Sequence, residues 1–320
     1  MSGDPRSHLG RGYLLVLGAA TAWGTLGLFY TVLGRDDGLA PVTIVFFRAA
    51  IGLAALLAIA LIRRRSLHVE RRHWPLFAAL GAVGVAAFYL VYAYAVQVAG
   101  VAVAAVLMYT APVWVTLYAW RFLGERPSRT GILALVGTLA GAALVAQVYE
   151  PGLLRLNAPG IALGLGSSLC YGCYSILNKQ AVRHYSPWTV LTLGLAFGVP
   201  LLALVQTPSA LAHAVSTPQT IVWLLAMALG PGLCGGLLYA AGLHHLPASV
   251  ASIVVSMEPV VAGLLAFLLL GERLAPGQIL GALLIIGSIT LLGSRDLVGR
   301  RRPIDIQIEN RYNGIEQDSV

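Results

Sequence analysis

The sequence predicts an all-α integral membrane protein, with ten transmembrane helices arranged as two inverted five-helix repeats. Three observations predict it. The composition leaves too little charge for a water-covered surface. Ten apolar segments each have the length of a bilayer crossing. The second half of the chain also repeats the first at a nearly constant offset.

Of the 320 residues, 58% are hydrophobic and 11% charged, and the mean hydropathy is +0.80. A soluble domain carries about 25% charged residues. Lipid rather than water therefore surrounds most of this chain. A net charge of +8 could suit a nucleic-acid partner. The charges, however, fall in short runs between long apolar stretches, as membrane loops do and nucleic-acid-binding surfaces do not, which excludes that partner. Cys170, Cys173 and Cys234 all lie inside apolar segments and make no disulfide framework. The first apolar run lacks a clear cleavage site and reads as an uncleaved helix, not a signal peptide.

A spanning helix needs about 20 mostly apolar residues. The segments run 12–33, 42–62, 74–96, 101–122, 130–148, 159–180, 188–206, 219–241, 248–270 and 276–294. They are continuous, whereas barrel strands alternate over about ten residues. The chain thus divides into an N-terminal tail 1–11, a first repeat 12–148, an external linker 149–158, a second repeat 159–294 and a polar tail 295–320. Loop cations set the orientation. With both termini in the cytoplasm, 17 of the 21 Lys and Arg fall inside, in the short connections and the two tails. Only Arg35, Arg155 and Arg273 fall outside, and Arg48 lies within a segment. The predicted location is the inner (cell) membrane, multi-pass.

The repeat is read from residues in register. APVWVTLYAWRFLGER (111–126) aligns with EPVVAGLLAFLLLGER (258–273), pairing Pro112 with Pro259 and Gly124-Glu125-Arg126 with Gly271-Glu272-Arg273. Upstream, Leu90 pairs with Leu237, Tyr92 with Tyr239 and Val103 with Val250, and Trp23-Gly24 pairs with Tyr171-Gly172. Five is odd, so the second copy enters the membrane upside down. Two equivalent halves in opposite orientation can exchange conformations, and that exchange moves an opening from one side to the other.

These residues resemble the EamA family of the drug/metabolite transporter superfamily. The resemblance rests on Trp23-Gly24, on Arg48, and on the duplicated P(x11)GER at 112–126 and 259–273. It spans the chain from about Gly12 to Leu292. It implies ten helices with inverted repeats around a central cavity, in a family made up mostly of exporters of amino acids, related metabolites or drugs. One departure stands out: Gly194 lies opposite Arg48 in the second half, so the halves are not chemically equivalent.

Glu258 lies near the middle of segment 248–270, about 15 Å from either surface. An ionisable group at that depth costs a few kcal/mol and marks a functional candidate, here for proton coupling or for gripping a charged group. The structural alternative is pairing with a buried cation. Pro259 and Pro112 each remove a helix hydrogen bond and can break their helices, and freed carbonyls beside a cavity suit a binding site. Arg48 sits about 9 Å below the outer surface. It can reach Glu258 or a substrate carboxylate, or snorkel to the interface.

Ser167, Tyr171, Tyr174 and Asn178 fall on one helix face, and rings with hydroxyl handles suit amphipathic ligands. Trp23, Tyr89, Tyr92 and Tyr109 join Tyr171, Tyr174 and Asn178 as candidate substrate-binding residues. The face of Ser249, Ser252 and Ser256 reads as helix packing, as does Gly137-x-x-x-Gly141. Glu125 and Glu272 read as turn caps. Cys170-x-x-Cys173 and His244-His245 give no redox or metal site.

No GxxxxGK[ST], HExxH or GxSxG occurs, and Glu258 is the one mid-membrane carboxylate. The expectation is a secondary transporter of small molecules rather than an enzyme, with lipid and protons as its other partners and no cofactor, metal or catalytic residue. An intramembrane enzyme and a non-transport scaffold stand as alternatives.

Overall fold

The computed structural model describes residues 5–64, 67–150, 158–271 and 273–298. Arg65, Arg155, Glu272, the linker residues 151–157 and the tail beyond 298 lie outside it. The described chain is helical throughout. Its rods are α1 (His8–Asp36), α2 (Pro41–Ile62), α3 (Arg71–Ala99), α4 (Val103–Leu123), α5 (Arg129–Val145) and α6 (Ala158–Ala181). They continue with α7 (Pro187–Ala203), α8 (Pro208–Ala214), α9 (Pro218–His245), α10 (Ala248–Leu269) and α11 (Pro276–Arg295). Among the described residues, eight rods are long and apolar enough to cross a membrane, or nine if the bent pair α7–α8 counts as one span. Rod α5 is apolar but shorter, at 17 residues. Helices satisfy every backbone polar group internally, which hydrocarbon demands.

Two boundaries differ from the sequence reading. The first helix begins at Pro5, three residues ahead of the apolar rod His8–Asp36 and before the start at 12 read for the first segment. Proline suits a first turn, where its missing N–H would have no partner. The 188–206 segment ends at Ala203, and the chain then turns by 119° into α8. The Thr207 hydroxyl accepts from the Ala210 amide at 3.2 Å and starts that helix. His213 of α8 bonds the Asp37 carbonyl at 2.9 Å, tying this face to the end of α1.

Several rods depart from α geometry, and the departures recur. A π-helical stretch occupies Leu80–Ala87 in α3 and another Ala228–Cys234 in α9, about 147 residues on. Rod α4 breaks at Tyr109–Thr110, ahead of Pro112. Rod α10 breaks at the 3-10 turn Val255–Met257, ahead of Pro259. The break in α4 is paired internally: the Thr110 hydroxyl donates to Leu107 O at 2.6 Å and meets the Ser168 hydroxyl at 2.8 Å. Gly124 and Gly271 end their helices at φ of +72° and +68°, a conformation that costs glycine least.

Contacts between the halves are reciprocal. A Cβ on Gly24 would lie 2.7 Å from Val261 Cβ, and one on Gly172 would lie 3.1 Å from Trp114 Cβ. Gly18 faces Leu238 and Gly166 faces Val91, each at 3.3 Å. Trp23 lies against Gly235, while Tyr171 lies against Phe88 at 5.4 Å between rings. In every case a first-half helix meets the partner helix of the second half, and the second half returns the contact. Rods α5 and α11 pack on one another through glycine. A Cβ at Gly141 would come within 2.6 Å of the Gly281 carbonyl and 2.7 Å of Ile285. Gly137 lies against Ser288 in the same seam.

One end of the bundle carries Arg63, Arg64, Arg71, Arg72, Arg121, Arg126, Arg129, Lys179 and Arg183, and is called the basic face. There Tyr185 clasps the start of α3. Its hydroxyl accepts from the Glu70 amide at 3.2 Å and meets His73 Nδ1 at 2.7 Å. His184 stacks on His73 at 5.0 Å. Burial, then His73, Arg72 and Arg183, hold the His184 imidazole below its usual pKa.

Two outcomes follow. Gly141→Leu forces α5 and α11 apart and costs about 1–3 kcal/mol, whereas Gly287→Ala, with nothing within 4 Å, is neutral or slightly stabilising. Thermal unfolding in detergent compares them. The unfolded chain binds a proton on His184 more readily than the folded one, so stability falls as pH drops through and below about 6.5. His184→Gln flattens this part of the thermal midpoint's dependence between pH 7 and 5.

Candidate functional site

A cavity lies where α1, α2, α3, α6, α7 and α9 meet. Trp23, Arg48, Ala49, Gly52, Tyr89, Tyr174, Leu191, Leu195, Gly232, Leu233 and Gly236 line it. Small residues make the space: the Arg48 stem lies on Gly232, where a Cβ would sit 3.1 Å from its Cγ, and Trp23 lies on Gly235. The open volume is about 30 Å³, room for one or two waters. In this conformation the chamber is small and largely filled by its own side chains.

Arg48 does not snorkel. Its guanidinium lies over the Tyr89 ring, 4.3 Å from the centroid, and shares a hydrogen bond with the Tyr89 hydroxyl. A cation on a desolvated aromatic face gains about 2 kcal/mol. That offsets much of the 2.5–3.5 kcal/mol that translocon scales assign to an arginine at membrane depth.

Glu258 opens the second helical stretch of α10, directly after the 3-10 turn. It is partly buried. Arg48, Tyr30, Tyr92, Tyr109 and Tyr171 all lie within its electrostatic reach. Among the described residues, no ion pair within 4.0 Å joins Arg48 to Glu258. The two opposite charges share one neighbourhood, and Tyr30 and Tyr92 lie within reach of both.

The remaining candidates extend this wall. Tyr171, Tyr174 and Tyr239 form an aromatic group, with Tyr174 and Tyr239 stacked at 6.1 Å and 11°. The Tyr239 hydroxyl meets the Ser175 hydroxyl at 2.8 Å and also bonds Tyr171. Asn178 is buried and hydrogen-bonded to Tyr174, behind the cavity rather than lining it. Two serines of the α10 face turn onto their own helix, as Ser252 donates to Ser249 O and Ser256 to Ser252 O, while the Ser249 hydroxyl donates to Glu125.

Sequence reasoning left out Tyr30, Phe88, Ser175 and Tyr239 from the site. Two signals were available. Tyr239 is the repeat partner of Tyr92, and Tyr30 lies two turns beyond Trp23 on one helix face. Among the described residues, no cluster of three or more His, Cys, Asp or Glu could hold a metal.

Multiple apolar rods around a small aromatic-lined chamber that holds Arg48, with Glu258 in electrostatic reach, define a multi-pass membrane transporter. The chain belongs to the EamA-like transporter family, whose model matches it twice, over residues 10–147 and 158–294. It is 30% identical over 275 residues to the uncharacterized transporter YwfM of Bacillus subtilis strain 168, covering 85% of this chain and 90% of that one. It is 24% identical over 280 residues to the uncharacterized inner membrane transporter YicL of Salmonella typhimurium strain LT2, covering 86% and 92%. The pseudopaline exporter CntI of Pseudomonas aeruginosa strain UCBPP-PA14 is 27% identical over 212 residues, covering 66% of this chain and 71% of CntI. A solved crystal structure of 20% identity superposes with a TM-score of 0.74, covering 88% of this chain and 96% of the other, and shows the same fold.

Tyr239→Phe removes the hydroxyl shared by Ser175 and Tyr171 and leaves both without that partner. The expected cost is about 1–2 kcal/mol of stability. Unfolding titration in mixed micelles measures it.

Proposed function

We propose that this protein is a secondary transporter that exports small metabolites by alternating access, with protons as the coupling ion. Its ten helices form two inverted five-helix repeats, residues 12–148 and 159–294, around the central chamber. Both termini lie on the cytoplasmic side of the inner membrane, and the basic face is the cytoplasmic one. Substrates are amino acids or aromatic and amphipathic compounds, including drugs. They bind against Trp23, Tyr89, Tyr92, Tyr109, Tyr171 and Tyr174, with Asn178 supporting the wall. Arg48 grips an anionic group, and Glu258 carries the proton or holds a cationic group. Pro112 and Pro259 mark the helix breaks at which α4 and α10 can bend.

The observation that carries this reading is the pair Arg48, on the chamber wall, and Glu258, within its electrostatic reach beside a group of tyrosines, without an ion pair between them. A purely structural pair would close into a salt bridge, because unpaired charge at this depth is costly. Without an ion pair between them, the two groups are free to take a ligand. Further support comes from the reciprocal contacts of Trp23, Gly24 and Gly18 with their second-half counterparts. The recurring π stretches in α3 and α9 and the exporter among the relatives agree with it. The chamber has room for waters only, so a metabolite enters after the halves have moved.

The test is flux of labelled amino acids and aromatic metabolites into proteoliposomes, with and without an imposed pH gradient. Saturable flux of one class, driven by the gradient, is expected. In Glu258→Gln, accumulation against the gradient falls to background while substrate exchange without a gradient persists. Wild-type rates with unchanged pH dependence in that variant would overturn the coupling role.

A further inference from the structure

At the basic face the turn between α9 and α10 is held from two sides. Lys179 of α6 donates to Leu243 O at 2.6 Å and to Leu246 O at 2.8 Å. Those carbonyls close α9, so a cation meets the negative end of a helix. From the other side comes Glu125, in the turn after α4. Its carboxylate accepts from the Ala248 amide at 2.9 Å, the Ser249 amide at 3.1 Å and the Ser249 hydroxyl at 2.7 Å. Those amides open the 22-residue rod α10, so the anion meets the positive end of a helix. Glu125 and Lys179 lie within electrostatic reach of each other. Behind this polar layer Tyr239, Leu243, Leu246, Ala251 and Val254 are fully buried.

The two clasps differ in what they join. Lys179 and the turn it holds both belong to the second half of the chain. Glu125 belongs to the first half, and its sequence reading as a cap of its own turn misses the helix it caps, more than 120 residues away. If the halves part at the basic face, the Lys179 bonds can travel intact with the second half. All three Glu125 bonds must break.

We infer that Glu125 is the latch of the cytoplasmic gate. Its carboxylate holds the first half to the start of α10 in the closed conformation, and its release accompanies opening toward the cytoplasm. The inference rests on the transporter reading for what the gate serves. Hydrogen bonds to a charged group are the stronger kind, so one carboxylate with three donors can set the balance between closed and open states.

The test needs no substrate, so its result stands apart from any flux assay. A single reporter, Ser252→Cys, is placed behind the latch in a chain whose Cys170, Cys173 and Cys234 are replaced by alanine. Ser252 is fully buried in the closed gate. Reaction with a water-soluble maleimide in nanodiscs reads how often the gate opens. Glu125→Gln is expected to speed labelling about tenfold or more, the effect of weakening charge-assisted hydrogen bonds. Ser249→Ala, which removes one of the three donors and keeps both amides, gives a smaller increase in the same direction. Gly287→Ala leaves the rate unchanged. If Glu125→Gln fails to fold, Ser249→Ala alone decides. Unchanged labelling in the folded variants, even with a lowered melting temperature, makes Glu125 a static cap and overturns the latch.

Discussion

Hydrocarbon offers no hydrogen bonds, and this constraint shapes the molecule from its backbone to its chamber. Each rod is helical because a helix alone pairs its own amides and carbonyls in lipid. Beside each break, backbone and hydroxyl donors keep the carbonyls paired, as the Glu258 amide bonds Val255 O. Thr110 covers the Leu107 carbonyl at the break in α4, and Ser256 bonds back to Ser252 O beside the break in α10. The same constraint drives both mid-membrane charges inward. Arg48 cannot face lipid cheaply, so it lies on the Tyr89 ring and bonds its hydroxyl. Glu258 turns into a group of tyrosines. The polar interior follows from the apolar exterior.

Helices that bring their polar atoms together must also approach closely, and small residues allow it. Gly18, Gly24, Gly166 and Gly172 each admit a side chain from the opposite half. Gly232 and Gly235 admit Arg48 and Trp23 in the same way, so the contacts that join the halves also shape the cavity wall. Lipid does not push helices together as water does, and close packing between small residues replaces that force. The halves therefore interlock along one set of glycines while the chamber stays small and lined by rings. Movement of one half on the other must slide along these seams.

Much of this was legible in the sequence, for physical reasons. Apolar runs of bilayer length mark the rods, because the membrane sets the length directly. Trp23, Arg48, Tyr89 and Tyr174 line one cavity, and Tyr92, Tyr109 and Tyr171 gather near Glu258, since polar residues deep in such runs have few places to go. Other features depend on contacts between distant segments. Helix α8 was hidden because seven residues, PSALAHA, carry no periodic signal of their own. The π stretches were hidden because no residue type demands them. Tyr239 was passed over although it mirrors Tyr92, because a repeat identifies equivalent positions without saying which side chains meet. The partner of Glu125 was beyond reach for the same reason: a carboxylate in a turn can cap any helix that the fold brings to it.

The placement of the two charges links the chamber to the motion proposed for it. Arg48 belongs to the first half and Glu258 to the second. Any displacement between the halves therefore changes the separation of the two charges, and anything that bridges or neutralises them biases that displacement. A ligand shifts a conformational equilibrium only by its difference in affinity for the two states. A molecule that touches both Arg48 and Glu258 has such a difference built in, because the geometry of the pair is itself the conformational coordinate. A ligand with equal affinity for the two states would bind and move nothing. The lack of a second arginine, with Gly194 opposite Arg48, sharpens this point. It makes the chamber polar along one direction, from first half to second, so the halves can be alike in backbone while the site between them tells one from the other.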